Sequence, residues 1–166
     1  MNPFEPHHFG NIFYITGLSW AIAQGLKVLI YYFKHHKINF RLFIGMGGMP
    51  SSHSAFVCSL ATTIGIDTRW DSAAFWLAVG VALIVMTDAA GVRRAAGQQA
   101  KILNQMLDDL EKSRPIPQQR LKELLGHTPT QVFAGAALGI LFSFALYPLI
   151  HRISFSLKYL STHRNE

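Results

Sequence analysis

Apolar residues gather into four long runs along this chain, with short polar stretches between them. The first, from about Ile12 to Phe33, is long enough to cross about 30 Å of hydrocarbon as a helix. The second, from about Ser54 to Ile66, is short for a span; it must be tilted, partly buried, or extended backward through Leu42-Phe43-Ile44. The third runs from about Ala73 to Thr87. The fourth runs from about Thr130 to Ile150 and continues as an amphipathic tail towards Leu160.

One polar region, Asp88 to Gly126, separates the third run from the fourth. Within it, Gln98 to Leu110 places Ile102, Leu103, Met106 and Leu110 on one helical face. Pro115 and Pro117 break that pattern. Gln118 to Leu125 then reads as a short helix ending at Gly126, a C-terminal cap. The expected architecture is all-α: a bundle of about four transmembrane helices with a cytoplasmic helical loop, residues 1–166 forming one domain.

Composition sharpens this picture. Half of the 166 residues are hydrophobic and 14% are charged, against a usual share of about 25%. The net charge of +6 comes from short basic clusters between apolar runs. That distribution favours anionic headgroups or a phosphate substrate, and no nucleic-acid motif appears. The single cysteine, Cys58, excludes an internal disulfide, and the segment from Met1 to Gly10 lacks the basic start of a signal peptide. Lys34, Lys37 and Arg41 mark the first loop, and Arg93, Arg94, Lys101, Lys112, Arg114, Arg120 and Lys122 the third; both are expected in the cytoplasm. The tail residues Arg152, Lys158 and Arg164 run against that assignment.

The candidate chemistry lies at the mouths of two apolar runs. Gly47-Gly48-Met49-Pro50-Ser51-Ser52-His53-Ser54-Ala55 is poor core material. It suits an anion: small residues let the backbone approach, and a helix start offers free N–H groups. Pro50 is expected in the first helical turn. Ser51 and Ser52 can bind phosphate oxygens, and His53 can protonate a leaving oxygen. The plainer reading is a serine-capped helix with an incidental histidine. In Gly126-His127-Thr128-Pro129-Thr130-Gln131, Thr128 and Gln131 fit a capping box with Pro129 at the first helical position. That accounts for every residue except His127, whose ring can point at an anion and act as a nucleophile.

Asp88-Ala89-Ala90-Gly91-Val92-Arg93-Arg94 ends the third run. Guanidinium forks suit phosphate, although adjacent arginines point about 100° apart on a helix and one of them serves equally as a cytoplasmic anchor. Asp88 is costly at the end of an apolar run unless partnered; it either orients His127 or His53 or neutralises an arginine. Lys27 shares a face with Gln24 and Tyr31; it either snorkels to the interface or turns inward towards phosphate. His7, His8, His35, His36, His151 and His163 are expected at the surface, and the His-His pairs lack the companions of a metal site.

At these residues the chain resembles the type 2 phosphatidic acid phosphatase superfamily, which includes vanadium haloperoxidases. It is most similar to the divergent, four-span branch of acid phosphatase/vanadium-dependent haloperoxidase-related proteins. Pro50-Ser51-Ser52-His53-Ser54 matches the Pro-Ser-Gly-His-Ser block, with Ser52 replacing glycine. His127 to Gly135 looks like the His-x-Pro-x-Asp-x-x-x-Gly block, with Gln131 replacing aspartate. The usual Lys-x6-Arg-Pro block is absent.

The resemblance implies metal-independent phosphomonoester hydrolysis with no cofactor. His127 would be the nucleophile, His53 the general acid, and Ser51 and Ser52 the phosphate cradle. Lys27 and Arg93 or Arg94 would stabilise charge, and Asp88 would stand in for the replaced aspartate. The expected protein is an integral membrane phosphatase of a bacterial cell membrane, its site facing the cytoplasm. Its substrate would be a lipid phosphate such as phosphatidylglycerophosphate, phosphatidate or a polyprenyl phosphate. The chain is shorter than six-helix members, which leaves a homodimer as a way to complete the site. The competing reading is a catalytically silent phospholipid- or phosphate-binding or transport protein. A haloperoxidase would need vanadate in the same pocket.

Overall fold

The computed structural model describes residues 6–37, 48–111 and 127–163. The proposed backward extension through Leu42-Phe43-Ile44, the break at Pro115 and Pro117, and the short helix capped at Gly126 lie outside the described residues, as do Gly47 and Arg41.

Among the described residues the fold is wholly helical. The helices are α1 (Pro6–His35), α2 (Ser52–Thr68), α3 (Ala73–Thr87), α4 (Arg93–Glu111) and α5 (Pro129–His163), with a π-helical turn at Asp88–Val92. Three stretches are long and apolar enough to cross a membrane: Gly10–His35, Ala73–Leu110 and Pro129–Ser154. The second predicted run, α2, is the shortest of the four packed helices apart from α3, and it takes the centre, against α1, α3 and α5. Its limited length goes with burial, one of the expected alternatives.

Its composition explains that position. The buried residues of α2 include Ser52, Ser54, Ala55, Ser59, Ala61, Thr62, Thr63 and Gly65. Hydrocarbon gives large apolar side chains no reason to turn inward, so membrane helices associate through small residues and interhelical hydrogen bonds. Both are present. Ser59 Oγ lies 2.8 Å from Ser143 Oγ of α5 and donates to Ser19 Oγ of α1 at 3.0 Å. Thr63 Oγ1 donates to Ser143 Oγ at 3.2 Å. On α5, Gly135 and Gly139 lie against the α2 backbone, where an added Cβ would collide with the carbonyl oxygens of Ser51 and Ala55. The large side chains face outward: Phe13, Leu77, Ile84, Phe133 and Leu141 are all strongly exposed. A small, hydroxylated interior inside an apolar exterior is the pattern of a bilayer-embedded bundle.

The polar region after the third run does not open as a loop. The backbone continues through the π-helical turn into α4, which carries the amphipathic pattern predicted from Gln98 to Leu110. The fourth run likewise continues past Ile150 to His163, with Pro148 inside the helix. At the end of the bundle remote from the serine motif, Tyr147 Oη donates to Asp67 Oδ1 at 2.8 Å. Trp70 packs edge-on against Phe75 and stacks on Phe144. In the adjoining turn, Arg69 hydrogen-bonds Asp71 and holds its carboxyl below the usual range.

Candidate active site

The start of α2 is built around Ser51. Ser51 is the N-cap, its Oγ accepting the Ser54 N–H at 3.3 Å and the Ser54 hydroxyl at 3.0 Å. The helix therefore begins at Ser52, two residues after Pro50, and Pro50 does not occupy the first helical turn. The physical reason is local: a serine oxygen satisfies a first-turn N–H, which proline cannot do. The Ser51 N–H donates in turn to the Gln131 carbonyl at 3.0 Å, which joins the starts of α2 and α5. Gly48, at φ +86°, occupies the left-handed region that suits glycine, with its Cα side facing the Lys27 stem.

Lys27 turns inward. It is 3% exposed, and its Nζ donates to Ser52 Oγ at 2.9 Å. Gln24, one turn earlier, is also buried, while Tyr31 is half-buried. Among the described residues no carboxylate lies within ion-pair distance of Lys27, so an ammonium group sits in the bundle beside a helix N-terminus with a hydroxyl as its partner. An anion at that point would gain from both.

The two histidines of the separate motifs meet. His53 follows Ser52 in the first turn of α2, and its ring lies 6.1 Å from that of His127, centroid to centroid, the planes at 80°. His127 is 2% exposed and immediately precedes the α5 cap. Its N–H donates to the Ala89 carbonyl at 3.1 Å, which ties the start of α5 to the π-helical turn. Asp88 adjoins Ala89 and is half-buried, so the chain brings its backbone to the His127 segment. Arg93 and Arg94 begin α4, one turn further on; their side chains lie outside the described residues.

The capping box forms as predicted. Gln131 N–H donates to Thr128 Oγ1 at 3.4 Å, and Gln131 Oε1 accepts the Thr128 N–H at 3.0 Å. The side chain that stands where the resembling block has aspartate is thus committed to the helix start. Two contacts were not foreseen from residue types, the Ala89 and Gln131 carbonyl acceptors, because a backbone oxygen leaves no mark in a sequence. The exposed positions of His35, His36 and His151 agree with expectation, and two of these rings stack on Tyr31 and Tyr147.

Comparison with known proteins places these features in context. The pattern of the divergent PAP2 family matches residues 10–142, which takes in most of α1, both histidine motifs and the glycines Gly135 and Gly139 of α5. The chain is 40% identical over 135 residues to the uncharacterized membrane protein YuiD of Bacillus subtilis (strain 168), covering 75% of this chain and 85% of that relative. No solved structure matches.

Proposed function

The chain belongs to the divergent PAP2 family, and from that membership and the site we propose that it is a membrane lipid phosphate phosphatase. The observation that carries the reading is the convergence of Lys27, Ser52, His53 and His127 at one end of the bundle. A phosphate monoester would sit at the α2 N-terminus, its oxygens held by Ser51, Ser52 and the Lys27 ammonium. His127 attacks phosphorus, the P–O bond to the lipid breaks, and His53 delivers a proton to the leaving oxygen. Water, deprotonated by His53, then cleaves the phosphohistidine and releases inorganic phosphate. Lys27 and one of Arg93 and Arg94 offset the charge that builds on the equatorial oxygens.

Asp88 has the part of a positioning residue for His127, in place of the absent aspartate. Asp88→Asn should then lower kcat by about 10²-fold or more while KM changes little. Equal losses in kcat and in lipid binding, or none in either, would remove Asp88 from the mechanism. Lys27→Met should weaken inhibition by orthovanadate, a phosphate mimic, by about 10²-fold, since one charge-assisted contact is lost from a desolvated site. An unchanged inhibition constant would place the anion elsewhere.

The basic residues Lys34 and Lys37 lie at the same end of the bundle as this site, which supports a cytoplasmic orientation. One observation favours a second reading, a phosphate- or phospholipid-binding protein without turnover: Gln131 serves the helix cap and puts no carboxylate beside His127. Phosphate release by the purified protein in detergent, across phosphatidylglycerophosphate, phosphatidate and polyprenyl phosphate with EDTA present, separates the two. Release that survives EDTA and disappears in His127→Ala supports the phosphatase. Lipid binding with no release from any substrate supports the silent binder.

A further inference from the structure

We infer that the apolar groove between α1, α2 and α3 holds the hydrocarbon tail of the phosphate-bearing lipid, so that α1 sets which tails the enzyme accepts; the inference rests on the phosphatase reading above. The groove has a volume of about 540 Å³. Ile12, Thr16, Gly17 and Trp20 of α1 form one wall, and Val57 and Leu60 of α2 the other. His53 lines it as well, so the groove is continuous with the candidate active site.

Register gives its direction. Lys27 meets Ser52 and Ser19 meets Ser59, so α1 and α2 run antiparallel. Ile12 therefore comes level with the last turn of α2, about 20 Å below His53 along the helix. That is more than half of a hydrocarbon core about 30 Å thick. A lipid whose phosphate rests at the α2 N-terminus has its tail directed down this path. The walls are hydrocarbon and aromatic apart from Thr16 and His53, so they reward an acyl or isoprenoid chain and no polar moiety.

A second groove offers an internal contrast. It lies between α2, α3 and α5, has a volume of about 360 Å³, and is lined by Cys58, Ala82, Leu83, Ile140 and Phe144 among others. None of the candidate site residues lines it, so ordinary bilayer lipid is all that it is expected to meet.

The test uses the full-length protein in detergent with phosphatidate carrying a photoactivatable diazirine in its acyl chain. Adducts should map to residues 12–20 and be competed away by unlabelled phosphatidate but not by phosphatidylcholine. Gly17 has open space where a Cβ would stand, so Gly17→Trp fills the groove without striking the backbone. That variant should lower the adduct yield. It should also cut the ratio of kcat/KM for long-chain phosphatidate to that for a short-chain analogue by about tenfold or more. Leu83→Trp, in the second groove, should leave that ratio unchanged. Adducts spread evenly over both grooves and indifferent to competitor, or an unaltered ratio in Gly17→Trp, would overturn the inference. Failure of the phosphatase reading looks different: no phosphate appears from any substrate, whatever the adduct map shows.

Discussion

Substituting His127 by alanine should abolish phosphate release, lowering kcat by about 10⁴-fold or more, while the protein still folds and binds phosphatidate. The separation follows from how the residue is held. The His127 N–H to Ala89 carbonyl bond is a backbone bond and survives the substitution. Thr128, Pro129 and Gln131 still form the α5 cap. What disappears is a buried imidazole 6.1 Å from the ring of His53. A water molecule attacking directly would have to take the place of the proposed nucleophile, and His53 would have to activate that water and protonate the leaving oxygen in the same step. Rapid acid-free quenching of the wild type with labelled phosphatidate should trap a phosphoramidate, stable to base and labile to acid, that His127→Ala never forms. Residual turnover above a few per cent of wild type, with the melting temperature unchanged, would mean that another group attacks phosphorus.

Gly135→Ala is the second large effect, and it acts through packing. A Cβ at position 135 would collide with the Ser51 carbonyl oxygen and approach Ser51 C and N at 3.0 and 3.1 Å. All three contacts are backbone, so no side-chain rotation relieves them, and α5 must move away from α2. Overpacking of this kind costs about 1–3 kcal/mol. It also loosens the Ser51 N–H to Gln131 carbonyl bond and with it the anchor of the proposed phosphate cradle. Thermal unfolding in detergent should show a clearly lower midpoint, and phosphatase activity should fall further than stability does. Gly139→Ala strikes the Ala55 carbonyl one turn deeper, so it should cost similar stability and less activity. Gly80→Ala meets open space and should be neutral or slightly stabilising. If Gly135→Ala melts and turns over like wild type, the close approach of α2 and α5 is not what holds the site.

Much of this arrangement is legible in the residues. Long apolar runs mark α1, α3 and α5 because a span must be apolar over its whole length. The capping box marks the start of α5 to the residue, since its two side chains bond each other's backbone. Lys27 shows what periodicity leaves open: the face it shares with Gln24 is compatible with snorkelling or with burial, and only the neighbouring helix decides. For α2 the informative signal is its hydroxyl content, with Ser54, Ser59, Thr62 and Thr63 all buried and Ser59 and Thr63 bonded to other helices, rather than its length. The continuation of α3 into α4 was hidden because Asp88 and Gly91 look like the opening of a loop, whereas a helix passes through both. The meeting of His53 with His127 spans 74 positions in sequence and depends on how α2 and α5 pack.

The π-helical turn at Asp88–Val92 has a consequence for phase. Such a turn closes its hydrogen bonds one residue later than the α-helix on either side, so it takes up one extra residue. Each residue advances an α-helix by about 100°. Every position beyond Val92 is consequently swung by about that angle from where an unbroken helix would carry it. The outward stripe of α3, Leu77, Val81 and Ile84, is thus not prolonged in line by the exposed apolar face of α4, Ile102, Leu103, Met106 and Leu110. Losing one residue from this turn would keep the rod intact and re-aim its outer half, a change in azimuth.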